Sequence, residues 1–192
     1  MKKKNIIFGF VSSVLLLIAY FISNYRLYAQ EYLKVLKYMD IRYIMSYVAI
    51  IPIILLTIHF IILLIKKENN NLTKILLIVY EILNICISLC TGISIGTFVN
   101  IVVHGILLLY LINVFYVKKL PINNKAIICV FAIIIIWAII GNIYSLVQYF
   151  DLIKITFSYF AITISSNILG IIAYVLLAIY YNSLYFENKT LK

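Results

Sequence analysis

The fold is decided by residues 75–117, which read ILLIVYEILNICISLCTGISIGTFVNIVVHGILLLYLINVFYV. This stretch carries one formal charge, at Glu81. As one straight helix it would measure about 64 Å at 1.5 Å per residue, whereas the hydrocarbon core of a bilayer is about 30 Å thick. The stretch must therefore fold back, and the small and polar residues around Gly92 and Gly96 predict the turn. The sequence thus predicts an antiparallel pair of membrane helices here.

The rest of the chain is also strongly apolar and poor in charged residues. Hydrophobic residues make up 66% and charged residues 11% of the 192 residues, and the mean hydropathy is +1.13. Soluble domains average about 45–50% apolar and about 25% charged residues, so a water-soluble globule is excluded. We expect an all-α polytopic membrane bundle of six transmembrane helices, a single integral membrane domain over residues 1–192. The predicted spans are roughly 5–22, 43–65, 75–92, 99–117, 126–147 and 155–181.

The basic residues orient the predicted bundle. Six spans place both termini on one side, and eleven of the sixteen basic residues then share that side. Because cytoplasmic loops carry an excess of Lys and Arg, we expect both termini in the cytoplasm and the chain in the plasma (cytoplasmic) membrane. The eleven are Lys2, Lys3, Lys4, Lys66, Lys67, Lys74, Lys118, Lys119, Lys125, Lys189 and Lys192.

Two local features modify this plan. Residues 23–42 place Tyr25, Tyr28 and Tyr32 on one side of a helix and Arg26 on the other. This predicts an amphipathic helix in the outer interface between helices 1 and 2; the functional alternative is a cap over a pocket or a partner-binding helix. Pro52 predicts a kink in the second span, because proline removes a backbone donor and crowds the preceding turn.

Glu81 is the one carboxylate well inside a predicted span. A charge at mid-bilayer costs on the order of 3 kcal/mol or more, so this side chain needs a partner, a cavity or a proton. His59, on the neighbouring predicted helix, also lies about six residues from the cytoplasmic end. The equal depth predicts a Glu81–His59 pair.

Other polar residues form stripes on the predicted helices. Asn84 and Ser88 share a face with Glu81 at helical spacing. His104 is expected near the outer end of helix 4, at the depth of Asn142 on helix 5, which gives an inner and an outer polar layer. Such layers fit a route for a solute or proton, and they fit ordinary interhelical hydrogen bonding equally well. The candidate ligand- or proton-binding residues are Glu81, His59, Asn84, Ser88, Asn142, Asn167 and His104.

The sequence lacks the residue patterns of several kinds of catalytic and metal site. The chain has no HExxH, P-loop or CxxC pattern, and we predict no catalytic residues, no metal ligands and no cofactor. Cys86, Cys90 and Cys129 all fall in apolar segments and are expected to be packing residues. The net charge of +10 is spread over the borders of apolar runs, which does not form the continuous basic face that nucleic acid requires.

These observations favour a small transport or solute- or lipid-binding membrane subunit over an enzyme. Its expected partners are the lipid bilayer and either an apolar or neutral small molecule or another membrane protein. The alternative is a non-catalytic accessory or structural subunit of a membrane complex. That alternative would show a small-residue stripe unused by its own bundle, such as Ala138, Gly141 and Ser145.

Overall fold

A computed structural model describes residues 3–32, 41–66, 70–92, 94–117, 124–151 and 157–190. Almost all of these residues are helical, which confirms the all-α prediction for the described part of the chain. The last turn of the fifth helix continues as a π-helix over Asn113–Val117. The helices are α1 (Lys3–Tyr32), α2 (Ile41–Val48), α3 (Ile50–Lys66), α4 (Asn71–Cys90), α5 (Ile95–Ile112), α6 (Asn124–Asp151) and α7 (Phe157–Thr190).

Four helical segments are long and apolar enough to cross a membrane: Lys3–Asn24, Asn71–Cys90, Ile95–Val117 and Ile164–Phe186. Two further apolar segments, Ile50–Lys66 and Lys125–Gly141, are shorter. Large apolar side chains such as those of Ile95 and Phe98 lie on the outside of the bundle, where lipid can cover them. The helices therefore suggest a bilayer environment with four candidate spans, while the six-span topology and the side on which the termini lie stay predictions.

The first helix is longer than its predicted span. It continues without a break to Tyr32, because the sequence from Ser23 to Tyr32 contains no proline or glycine to end it. The prediction of a separate surface helix that begins at residue 23 is therefore wrong at its start. Residues 33–40 of that predicted helix lie outside the described residues, and its place in the interface stays a prediction.

The predicted kink at Pro52 is confirmed as an interruption of the second predicted span. The short helix α2 ends at Val48, Ala49 forms a turn, and α3 begins at Ile50. Proline at position i crowds the carbonyl of residue i−4, which here is Val48. The break thus falls where the ring would clash with a continuous helix.

The turn between α4 and α5 lies where small and polar residues predict it. Gly92 has a φ of 96°, a left-handed conformation that glycine adopts without steric cost. The side chain of Ser94 then caps α5 by accepting a hydrogen bond from the Thr97 N–H at 3.0 Å. At the other end of α4, the Asn70 side chain accepts from the Thr73 N–H at 2.9 Å. This cap starts α4 at Asn71, one turn earlier than the predicted span.

The first and last helices, α1 and α7, pack against each other most extensively. The other main contacts join α1 to α3, α3 to α4, α4 to α5 and α6 to α7. Ser12 on α1 donates a hydrogen bond to the Ala173 carbonyl on α7 at 2.7 Å. The core around this framework contains many aromatic side chains. Its largest fully buried rings are Phe60, Tyr110, Phe131, Tyr180 and Tyr181.

Candidate buried carboxylate–imidazole site

The α4–α5 hairpin brings Glu81 and His104 together. Gly92 at the turn lies eleven residues after Glu81 and twelve before His104, so the two side chains stand at matching heights on antiparallel helices. The Nδ1 atom of His104 lies 2.6 Å from Oε2 of Glu81. Glu81 is 0% exposed, so this hydrogen bond is shielded from solvent and electrostatically strong.

Tyr181 on α7 completes the cluster. Its hydroxyl donates a hydrogen bond to the other oxygen of the same carboxylate, Oε1 of Glu81. The Tyr110 hydroxyl donates to the backbone carbonyl of Tyr181 at 2.8 Å, and the Phe131 ring packs edge-on against the Tyr181 ring at 5.4 Å between centroids. The phenol that reaches Glu81 is thus fixed through its backbone and through its ring. We refer to Glu81, His104 and Tyr181 together as the carboxylate cluster.

The groups that face Glu81 are neutral or form pairs with it. Besides His104 and Tyr181, the phenols of Tyr80 and Tyr174 lie within electrostatic reach of the carboxylate. The basic partner of Glu81 is His104, and among the described side chains no lysine or arginine forms an ion pair with this carboxylate. One proton lies between Nδ1 of His104 and Oε2 of Glu81, whichever atom holds it.

His59 belongs to a separate network. Its Nδ1 atom lies 2.7 Å from the Thr73 carbonyl oxygen. Because a carbonyl oxygen can only accept, Nδ1 carries the proton, and in the neutral ring Nε2 then accepts from the Tyr180 hydroxyl at 2.7 Å. This arrangement ties α3 to α4 and α7 with both ring nitrogens engaged.

The predicted Glu81–His59 pair is therefore wrong. Both oxygens of Glu81 and both nitrogens of His59 bond to other partners. The error comes from the start of α4: Glu81 lies ten residues, about 15 Å, beyond Asn71, while His59 lies seven residues, about 10 Å, from the end of α3. The predicted outer layer with His104 is also wrong, because α5 begins at Ile95, four residues before the predicted span. His104 lies nine residues after that start and Glu81 nine residues before the end of α4, so the two side chains are level.

The other candidate residues lie outside the cluster. Asn84 is half-buried, and its side-chain amide donates to the Tyr80 carbonyl on its own helix at 2.8 Å. Ser88 is buried near the C-terminal end of α4, and Asn167 is half-buried on α7. Among the described side chains, none of these three hydrogen-bonds to Glu81 or His104. Asn142 lies on α6, and its side chain is outside what the structure describes.

Sequence reasoning missed the tyrosines, because seventeen tyrosines in an Ile- and Asn-rich chain carry little information as a total. A positional signal did exist. The candidate Asn167 is followed at intervals of seven residues by Tyr174 and Tyr181, and residues seven apart share one face of a helix. The Glu81–His104 pair had a signal too, in their near-equal distance from the turn at Gly92.

The cluster offers proton-transfer and hydrogen-bonding chemistry. Over the residues with described positions, no three His, Cys, Asp or Glu side chains group closely enough to hold a metal ion. No protein-family model, curated protein or solved structure matches the chain. Any functional inference therefore rests on the geometry of the site.

Proposed function

We propose that the chain is a small membrane subunit that binds or transports a solute or lipid, with the carboxylate cluster as its ligand- or proton-responsive site. The observation that carries this proposal is a fully buried carboxylate, Glu81, held by an imidazole and a phenol within a candidate membrane span. The proposal keeps Glu81 and His104 from the predicted candidates and adds Tyr181.

The energetics favour a functional role over a purely structural one. An ionisable group in the membrane interior costs several kcal/mol, on the order of 3 or more, and the pairing that offsets this cost seldom gives a net gain in stability. Buried ion pairs can often be replaced by apolar residues of similar volume with no loss of stability. Helices that need only to pack can use small residues and weakly polar groups. A buried carboxylate therefore costs more free energy than helix packing alone requires.

A proton provides the means of response. When ionised, Glu81 accepts hydrogen bonds from both His104 and Tyr181; when protonated, it can offer a donor of its own. Gain or loss of a proton therefore changes the hydrogen bond between α4 and α7 as well as the one between α4 and α5. The groups that face this carboxylate and would sense the change are His104 on α5, Tyr80 on α4, and Tyr174 and Tyr181 on α7.

The test is to purify the chain in a mild detergent and identify small molecules that remain bound by mass spectrometry. Wild type is compared with Glu81→Gln and with Tyr180→Phe, a matched control that loses a buried phenol hydrogen bond in the His59 network. A specific molecule retained by wild type and Tyr180→Phe and lost by Glu81→Gln supports the proposal. Equal retention by all three proteins would show that the cluster is not the binding site.

A second function, the accessory subunit, is favoured by one feature of α6. Gly141 is exposed, and a Cβ atom built on it would meet no atom within 4 Å among the described residues. Ala138, one turn earlier, is half-buried, while the Ser145 side chain lies outside the described residues. A stoichiometric protein partner that co-purifies with wild type but not with Gly141→Leu, in the absence of any bound small molecule, would favour this function over the first.

A further inference from the structure

We infer that Nε2 of His104 is the atom that binds the ligand, and that the ligand is a neutral lipid with a free hydroxyl group. This inference rests on the proposed function, which it narrows to one atom and one class of ligand.

The two histidines differ in one respect. Both nitrogens of His59 are hydrogen-bonded. His104 uses Nδ1 for Glu81, and no described residue provides a partner for its Nε2. The His104 side chain is 10% exposed, so it is nine-tenths buried with one ring nitrogen unpaired. Among the described residues, Oδ1 of Asn182 is the one fully buried side-chain atom without a partner, so Nε2 of His104 keeps some contact with the surroundings of the bundle. An unpaired polar atom that faces hydrocarbon costs free energy, so an external molecule is the expected partner of Nε2.

The surface of α5 beside His104 has room for such a molecule. Gly105 follows His104 directly, and a Cβ atom on Gly105 would meet no atom within 4 Å. On the inner side, Val103 and Leu107 are buried in the apolar core. The imidazole thus lies at the border between the core and an uncovered strip of helix, backed by the Glu81 carboxylate that orients its ring.

The chemistry of the surroundings selects a neutral hydroxyl. A charged ligand would have to leave water for an apolar site near mid-span, which costs several kcal/mol, on the order of 3. If Glu81 holds the proton of this bond, Nδ1 of His104 accepts it and the neutral ring carries its own hydrogen on Nε2, which is then a donor. If Nδ1 holds the proton, Nε2 of the neutral ring is an acceptor. A hydroxyl serves both states, because it donates and accepts. The long apolar helices around the site suit a ligand that dissolves in the bilayer.

The experiment uses farnesol and farnesene, which share a hydrocarbon skeleton and differ in the hydroxyl group. The full chain is placed in nanodiscs of phosphatidylcholine, and displacement of tritiated farnesol by each unlabelled compound is measured. Concentrations are expressed as mole fractions in the lipid, so that unequal partitioning cancels. The variants are His104→Asn, whose amide keeps a donor near the Nδ1 position but lacks Nε2, and the matched control His59→Asn.

We expect wild type and His59→Asn to prefer farnesol about tenfold, the effect of one hydrogen bond, and His104→Asn to bind both compounds equally. Equal affinity of wild type for both compounds, or an unchanged preference in His104→Asn, would overturn the inference. The absence of saturable farnesol binding would overturn it as well. None of these results would contradict the proposed function, which is tested separately by whether Glu81→Gln loses a molecule that wild type retains.

Discussion

Removal of the Tyr181 hydroxyl is the most direct test of the carboxylate cluster. In Tyr181→Phe, Oε1 of Glu81 loses its donor, while the ring keeps its contacts with Phe131 and with Tyr110, whose ring stacks on it at 6.3 Å. The volume of the core is nearly unchanged, so the effect isolates one hydrogen bond. Because the acceptor is a buried carboxylate, we expect the free energy of unfolding to fall by about 1.5–3 kcal/mol, the range for hydrogen bonds to charged groups.

The assay is reversible unfolding in mixed micelles, followed by circular dichroism as the fraction of denaturing detergent rises. Tyr116→Phe is the control, because Tyr116 is 55% exposed and its loss should change the free energy of unfolding by less than about 0.5 kcal/mol. The double variant Tyr181→Phe/Glu81→Gln should lose less than the two single variants together, since both act on the same bond. A Tyr181→Phe variant as stable as Tyr116→Phe would refute the view that this bond holds Glu81 in place.

Three further predictions follow from other parts of the molecule. Gly9→Ala should destabilise the bundle by about 1–3 kcal/mol, because its Cβ would clash with the ring of the fully buried Phe60. Thermal unfolding measures the loss, and Phe60→Leu in the same chain should recover part of it. The exposed thiols of Cys86, Cys90 and Cys129 should react with a lipid-soluble maleimide in the folded protein, as mass spectrometry would show, and complete protection would mean that these faces are covered. In a cysteine-free chain, Ile95→Cys should react with an impermeant thiol reagent in intact cells and Asn71→Cys only after permeabilisation; the reverse pattern would invert the predicted topology.

The α4–α5 hairpin was predictable because the length of residues 75–117 as a single helix exceeds the thickness of a bilayer. A nearly uncharged stretch of about 64 Å at helical rise cannot cross a bilayer of about 30 Å once, and Gly92 supplies the left-handed turn. Glu81 and His104 were each recognisable as polar residues in an apolar context. The all-α class and the candidate spans follow from the same arithmetic.

The pairing of these residues was harder to predict, since it depends on where α4 begins. Residues 69–71 are three consecutive asparagines, and asparagine is a favoured cap at any of these positions, so the sequence does not fix which one starts the helix. The structure selects Asn70. The predicted span begins at Ile75 and the helix at Asn71, a difference of four residues or about 6 Å, and this difference decides which histidine lies level with Glu81.

The neighbouring tyrosines of α7 couple the two polar networks through one piece of backbone. Adjacent residues of a helix point about 100° apart, so Tyr180 reaches His59 on α3 while Tyr181 reaches Glu81 on α4. A rotation or slide of α7 would therefore strain both hydrogen bonds together, and the Tyr110 hydroxyl on the Tyr181 carbonyl opposes such a movement. Loss of the Tyr181–Glu81 bond would remove one of these restraints, and α7 could then move while the Tyr180–His59 bond still holds it to α3. This is the arrangement that a change at a single carboxylate needs if it is to move a whole helix.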